Sequence, residues 1–206
     1  MVNDSAYNIA PTSKELFNYA KRLHLKWEPN RKLKESGYRK YNNDTMELFV
    51  DVGNIEPTYQ PGHAHSDTLN FELYIKQNPI IVDTGISTYE KNAFRQKERA
   101  TSAHNTVQIG DYEQSEIWGG FRVGRRARII KLEEHETMVK AAHNGYKKLG
   151  IIHERKFVTE TNSIIINDSL SKKTKRSQKA YLHFHPNINT IEIKKHSLVI
   201  DDNINI

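Results

Sequence analysis

Period-two alternation dominates the chain from residue 46 onward. Met46, Leu48, Val50 and Val52 alternate with Glu47, Phe49 and Asp51, and Leu69, Phe71, Leu73 and Ile75 alternate with Thr68, Asn70, Glu72 and Tyr74. Side chains on an extended chain point to opposite faces in turn, so each run predicts a strand with one face for a core. Gln77-Asn78-Pro79 reads as a turn, after which Ile80 to Val82 return as a short buried strand, and residues 106–109 give another. The second half predicts a meander of strands over residues 127–132, 137–143, 152–160, 163–170, 180–185, 190–195 and 198–200. Asn144-Gly145, Thr161-Asn162 and Pro186-Asn187 punctuate it. Short strands at spacings near ten residues predict an all-β fold, a large antiparallel β-sandwich.

One segment departs from that period. Residues 12–27 read as a helix, capped by Ser13, with Leu16, Ala20, Leu23 and Trp27 at helical spacing and Pro29 as its stop. An amphipathic helix ahead of a β-rich chain must pack on something, and we read it as the end of a preceding domain. Residues 1–35 are therefore assigned as a short N-terminal helical segment and residues 36–206 as the sandwich domain, which we expect to be cut inside a sheet at its C-terminal end. The charged stretch 91–99 is a short helix or a loop.

Composition narrows the chemistry. The 206 residues include no cysteine, so neither a disulfide framework nor a thiolate nucleophile is available. No apolar run approaches the length of a membrane span, and the first residues lack the pattern of a signal peptide. A net charge of +6 favours a polyanionic partner. The cations gather at Arg122, Arg125, Arg126 and Arg128, and again at Lys172, Lys173, Lys175, Arg176 and Lys179. The second group reads as a solvated turn, and nucleic acid is disfavoured because these cations do not interleave with exposed aromatics. Neither a Gly-x-Ser-x-Gly elbow nor a phosphate-binding glycine loop is present.

The residues with most chemical content lie between Gly62 and Val107. His63 and His65, two apart, would share one face of an extended chain. Asp83 ends the returning hairpin strand, and His104 precedes the next one. Two imidazoles and a carboxylate suit a zinc ion with an open fourth position, so His65, Asp83 and His104 are the candidate metal ligands, with His63 beside them. A glutamate three or four residues after His-x-His, as in cupins, is missing. His153, His183 and His185 read as structural imidazoles, whereas His143 merits a test as a pocket residue.

Ordered blocks now carry a resemblance. Gly62-His63-Ala64-His65-Ser66-Asp67-Thr68-Leu69-Asn70-Phe71-Glu72-Leu73 resembles the GHgHaDaLsFEL block of the heparinase II/III-like polysaccharide lyases. Pro79 to Gly85 is similar to that family's PLLVDPGT, with Thr84 in place of its proline, and Thr88-Tyr89-Glu90 follows. Ala103 to Val107 matches aHNTv, and His143-Asn144-Gly145-Tyr146 with His153-Glu154-Arg155 resembles a later HdGY…HrR segment. The resemblance implies a bacterial enzyme with an N-terminal α/α toroid followed by a β-sandwich, and places this chain as the sandwich. The helical segment would then be left from a missing toroid. It implies zinc on His65, Asp83 and His104, a catalytic histidine at His63, and substrate contacts at Tyr89, Arg95 and His143.

The implied reaction is β-elimination on an acidic, uronate-containing polysaccharide, in a periplasmic or cell-envelope protein. The family's catalytic base and the group that neutralises the uronate come largely from the toroid, so this chain alone would be inactive. A non-catalytic glycan-binding or structural sandwich module is the alternative.

Overall fold

The computed structural model describes residues 2–6, 9–27, 36–188, 191–194 and 197–200. The cap of its first helix, α1 (Ser13–Arg22), lies one residue earlier than the expected Ser13. Thr12 is the cap, and its hydroxyl accepts from the Glu15 N–H while the Glu15 carboxylate accepts from the Thr12 N–H at 2.7 Å. The helix also ends sooner than Pro29, which lies outside the described residues. His24 turns into the left-handed region (φ 55°), and two closing bonds follow, from the His24 N–H to Lys21 and from the Leu25 N–H to Ala20. That pair of bonds satisfies the last carbonyls and stops the helix without proline. Leu16, Phe17, Leu23 and Trp27 are exposed, so among the described residues the sandwich does not cover this face.

The sandwich has two four-stranded antiparallel sheets. The first orders β1 (Tyr38–Asn42), β2 (Met46–Asp51), β3 (Phe71–Ile75) and β4 (Asn78–Ile81) side by side. The β3–β4 turn is Lys76-Gln77, both at positive φ, rather than the Gln77-Asn78-Pro79 predicted. Two left-handed residues give a tight hairpin the twist of its flanking strands, and this leaves Asn78 and Pro79 inside β4. The chain then crosses through α2 (Ala93–Glu98), capped by the Asn92 side chain, and β5 (Val107–Ile109). A small hairpin of β6 (Ile117–Trp118) and β7 (Arg122–Val123) follows.

The second sheet contains β8 (Ile129–His135), β9 (Met138–His143), β10 (His153–Thr159) and β11 (Ile164–Leu170), in spatial order β11-β10-β9-β8. Next, β12 (Gln178–Ala180) pairs with β5, and the chain continues along β4, where the Val82 N–H donates to His183 and the His185 N–H to Ile80, both at 2.9 Å. This run therefore ties the first sheet to the loops at its end. Finally β13 (Ile191–Lys194) and β14 (Ser197–Ile200) form a hairpin, while Thr190 and Lys195 of the predicted strand lie outside the described residues.

The core lies between the sheets. Leu48, Val50, Phe71, Ile80 and Ile81 from the first meet Val139, Ala141 and Phe157 from the second, and the Phe71 and Phe157 rings pack edge-on at 5.6 Å. Burial of each such side chain contributes on the order of 1.5–3 kcal/mol. The inner face of β10 reads His153, Arg155, Phe157, so polar groups share the apolar layer. Ala141 stands opposite Arg155 in the ladder, and its small side chain leaves room for the guanidinium.

Candidate functional site

Two loops and a short helix at one end of the first sheet gather the predicted residues. The 62–70 segment is not strand. β3 begins only at Phe71, the Asn70 N–H closes on the Asp67 carbonyl, and Leu69 sits at φ 65°. Upstream, the Ala64 N–H closes on the Pro61 carbonyl, and that turn breaks the alternation on which the same-face argument for His63 and His65 depends. The side chain of His63 is 69% exposed and that of His65 is 0% exposed. They still meet one group, the Asp4 carboxylate, through His63 Nδ1 at 2.6 Å and His65 Nε2 at 2.8 Å.

Asp4 is the residue that sequence reasoning missed most completely. Its carboxylate is also gripped by both terminal nitrogens of the buried Arg95, whose Nε donates to the Gly120 carbonyl at 3.0 Å. Burial alone would raise this carboxyl, but hydrogen bonds from His65, Arg95 and His63 overcome it and hold Asp4 well below the usual carboxylate range. Arg99, one turn further along the α2 segment, donates twice to the Ala64 carbonyl and once to Gly120, fixing the histidine loop from beneath.

Asp83 and His104 form the second half. His104 Nδ1 donates to Asp83 Oδ2 at 2.7 Å, the Asn70 amide donates to the same oxygen, and the Gly85 N–H donates to Oδ1. Burial pulls His104 down, yet the charge and hydrogen bond of Asp83 outweigh it and push it up. Asp83 stays below the ordinary range, because His104 overcomes the effect of burial. Thr84, the departure from the family's proline, donates its hydroxyl to the Ala103 carbonyl and so links the Asp83 loop to the His104 loop. Asn105 joins the elements behind them. Its amide donates to the carbonyls of Phe71 and Val82, and its side-chain oxygen accepts from the His183 N–H.

The His65 and His104 rings lie 5.1 Å apart, and each has one buried nitrogen without a partner, His65 Nδ1 and His104 Nε2. In each ring a carboxylate accepts from the other nitrogen, so the neutral ring presents a lone pair at the orphaned position. That is the donor state a divalent cation requires, with the carboxylates fixing tautomer and orientation. Asp83 is placed differently from the expectation of a third ligand. Both its oxygens are engaged, and it acts on His104. Among the described residues no group of three or more His, Cys, Asp or Glu side chains is arranged to hold a metal ion. A pocket of about 210 Å³ opens beside His63, lined by Tyr38, Asp51 and Asp67. Burial, together with the neighbouring carboxylates, raises both of these aspartates.

The remaining predicted contacts separate. Tyr89 is exposed, with its ring centroid 5.9 Å from that of His63 and above the Arg95 guanidinium. His143 is fully buried elsewhere. The Gly145 N–H donates to its Nδ1 at 3.0 Å, its Nε2–H donates to His153 Nδ1 at 2.9 Å, and His153 Nε2–H donates to Asp168 at 2.7 Å. Both ring nitrogens of His143 are occupied, which leaves none for a substrate, contrary to the sequence reading. His153 stands directly opposite it in the ladder.

This chain works only with both rings neutral, and burial lowers both histidines accordingly. Their stabilising contribution is complete above the unfolded histidine value and declines as pH falls below about 6.5. Thermal melts between pH 8 and 4.5 should therefore show stability falling by up to about 1.4 kcal/mol per pH unit for each ring. Substituting His143→Gln and His153→Gln together should flatten that slope, and an unchanged slope would remove the pair as its cause.

Comparisons with known proteins agree with this architecture. A family model described as heparinase II/III-like, C-terminal, matches residues 27–205. No curated protein matches. Among solved structures, a heparinase III described as the BT4657 gene product with methylated lysines superposes with a TM-score of 0.65 at 17% identity, covering 94% of this chain and 32% of that one. A second heparinase III gives 0.59 at 21% identity, over 82% and 29% of the two chains. The heparan sulfate lyase HepC from Pedobacter heparinus gives 0.54 at 16%, over 74% and 24%. At these identities the superpositions establish a shared sandwich fold. This chain spans less than a third of the length of each of these three structures.

Proposed function

The chain belongs to the heparinase II/III-like C-terminal family, and from that premise we propose that it is the sandwich part of a polysaccharide lyase acting on acidic, uronate-containing glycans. The observation that carries this reading is His63. It is an exposed imidazole whose Nδ1 is anchored on the buried Asp4 carboxylate, which leaves Nε2 as the atom to meet a substrate. In β-elimination a base takes the C5 proton, α to the carboxylate. The C4–O bond breaks, a C4–C5 double bond forms, and the departing oxygen takes up a proton. His63 Nε2 is suited to hold or move one of those protons, with Asp4 fixing its tautomer. By the family resemblance, the other base and the group that neutralises the uronate belong to a toroid region of the parent.

We further propose that His65 and His104 hold a zinc ion through Nδ1 and Nε2, with Asp83 orienting His104. Zinc bound there supplies a fixed positive charge and Lewis acidity beside an anionic substrate. The chain's own residues prepare the place: Arg99 holds the histidine loop at the Ala64 carbonyl, Arg95 holds Asp4 against both histidines, and Asn70 donates to Asp83 while its oxygen accepts from the Asn105 N–H next to His104.

The test is to assay the full-length gene product for unsaturated-uronate absorbance against several acidic glycans, with the 206-residue chain alongside. The parent should turn over at least one glycan, the chain alone little or none, and His63→Ala in the parent should cost about 10²–10⁴-fold. A parent inert on every acidic glycan would overturn the lyase reading. The second reading, a glycan-binding module, draws on Lys172, Lys173, Lys175 and Lys179, none of which has an acidic partner among the described residues. It predicts binding by the parent without turnover.

A further inference from the structure

Beside His63 and Tyr89 the surface carries a further aromatic ring, Phe121, which no sequence motif and no proposed metal ligand includes. Phe121 is 41% exposed and Tyr89 is 52% exposed. Their ring centroids are 5.5 Å apart, and the Phe121 and Tyr89 centroids each lie 5.9 Å from that of His63. Apolar rings left in water in contact with one another form a surface that a ligand's apolar face can cover.

Phe121 is presented rigidly. It follows Gly119 and Gly120 in the β6–β7 turn, both at positive φ, where a side chain would be strained. The Gly120 carbonyl accepts from two buried guanidinium groups, Arg95 Nε at 3.0 Å and Arg99 Nη1 at 2.8 Å. The same Arg95 guanidinium lies 5.0 Å from the centroid of Phe121 and 5.3 Å from that of Tyr89, so one buried residue supports the Asp4–His63 pair and both rings. At the rim stand two exposed cations, Lys91 and Arg122, whose stems lie against the Gly119-Gly120 turn.

We propose that Phe121, with Tyr89 and His63, is a stacking subsite for one pyranose ring of an acidic glycan, and that Lys91 and Arg122 meet that ring's anionic substituents. A pyranose ring has an apolar C–H face and an equatorial rim of polar groups. An aromatic floor with cations at its edge matches that division. The inference rests on the acidic-glycan reading above and adds the ring that positions a sugar next to His63 Nε2.

The experiment is a titration of the 206-residue chain with two probes, a heparan-sulfate-derived tetrasaccharide and an oligomannuronate tetrasaccharide, read by calorimetry and by saturation-transfer NMR from aromatic protons to sugar protons. Phe121→Ala should weaken binding of the preferred probe by about tenfold, the size of one well-placed aromatic contact. It should also reduce transfer to one sugar ring. Phe121→Trp should bind within about threefold of the unsubstituted chain, a difference below about 0.7 kcal/mol. If Phe121→Ala disturbs the fold by its amide spectrum, Phe121→Leu, which keeps apolar bulk without a π face, takes its place with the same expected loss. Binding unchanged in Phe121→Ala and Phe121→Leu would overturn the stacking subsite and leave the glycan reading standing. Failure of the unsubstituted chain to bind either probe would overturn the glycan reading, and the subsite with it.

Discussion

Replacing Arg155 with alanine should cost the fold about 3–5 kcal/mol, as expected when one partner of a buried ion pair is removed. The guanidinium packs against both the Phe71 and Phe157 rings, 5.6 and 5.7 Å from their centroids. Its Nε and Nη2 donate to the two oxygens of Asp168, at 2.7 and 2.8 Å, and its Nη1 donates to the carbonyls of Leu69 and Asn105. Alanine would leave a cavity beside the paired rings, two core carbonyls without a donor, and Asp168 with only His153. The Asp168 side chain is 27% exposed, so water recovers part of the loss and the lower half of the range is expected. Lysine keeps the charge but not the planar fork, and should recover only a minor part. Urea unfolding measures the effect as a shifted midpoint at unchanged slope. A loss below about 1 kcal/mol would show that the network is no more than an exposed ion pair.

Arg155 also illustrates how far the sequence is legible. The alternation of β2, β3, β10 and β11 predicts strands at the right places because each has one face in the sandwich, and in β2 and β10 burial follows parity directly. Within β10 the same parity puts His153 and Arg155 on the inner face, but alternation cannot say that a guanidinium will bridge two phenylalanines and a carboxylate. His143 was misread for a related reason. Its position at a turn suggests a pocket, whereas the ladder places it opposite His153, a pairing fixed only when register is known. His63 and His65 do not share a face because the Pro61–Ala64 turn takes His63 out of extended backbone, and Leu69, a single residue in the left-handed region, separates the segment from β3 without a sequence signal as strong as glycine or proline. His24 ends α1 in the same way.

Within the site, His65, Asp83 and His104 do lie together, as their positions at the ends of hairpin strands suggest. Their division of roles is not in the sequence, because it depends on which nitrogen each carboxylate holds. Asp4 was out of reach of any local pattern. It lies 59 residues before His63, on a segment with neither periodicity nor motif, and is tied down by the Ile86 N–H donating to the Ser5 carbonyl. Asn105 was visible only as part of a motif. Its use of both amide hydrogens, its oxygen and its backbone N–H explains in physical terms why an asparagine serves between His104 and Thr106.

A second large effect is expected at the two orphaned nitrogens. Two buried ring nitrogens without a partner are costly, and a cation held by His65 and His104 would relieve both at once. The metal should then stabilise the folded chain by mass action, on the order of 2.7 kcal/mol when free zinc is a hundred times its dissociation constant. His65→Ala and His104→Ala should each abolish that gain. Asp83→Asn should weaken it, because an amide in place of the carboxylate no longer holds the His104 tautomer by charge.

Elemental analysis of the 206-residue chain, purified without a histidine tag and paired with melts in EDTA and after zinc is restored, tests the centre most directly. The predicted result is about one zinc per chain, a melting temperature that falls in EDTA and recovers with zinc, and neither property in His65→Ala or His104→Ala. Protein free of metal as purified, with a melting temperature indifferent to zinc and to EDTA, would contradict it.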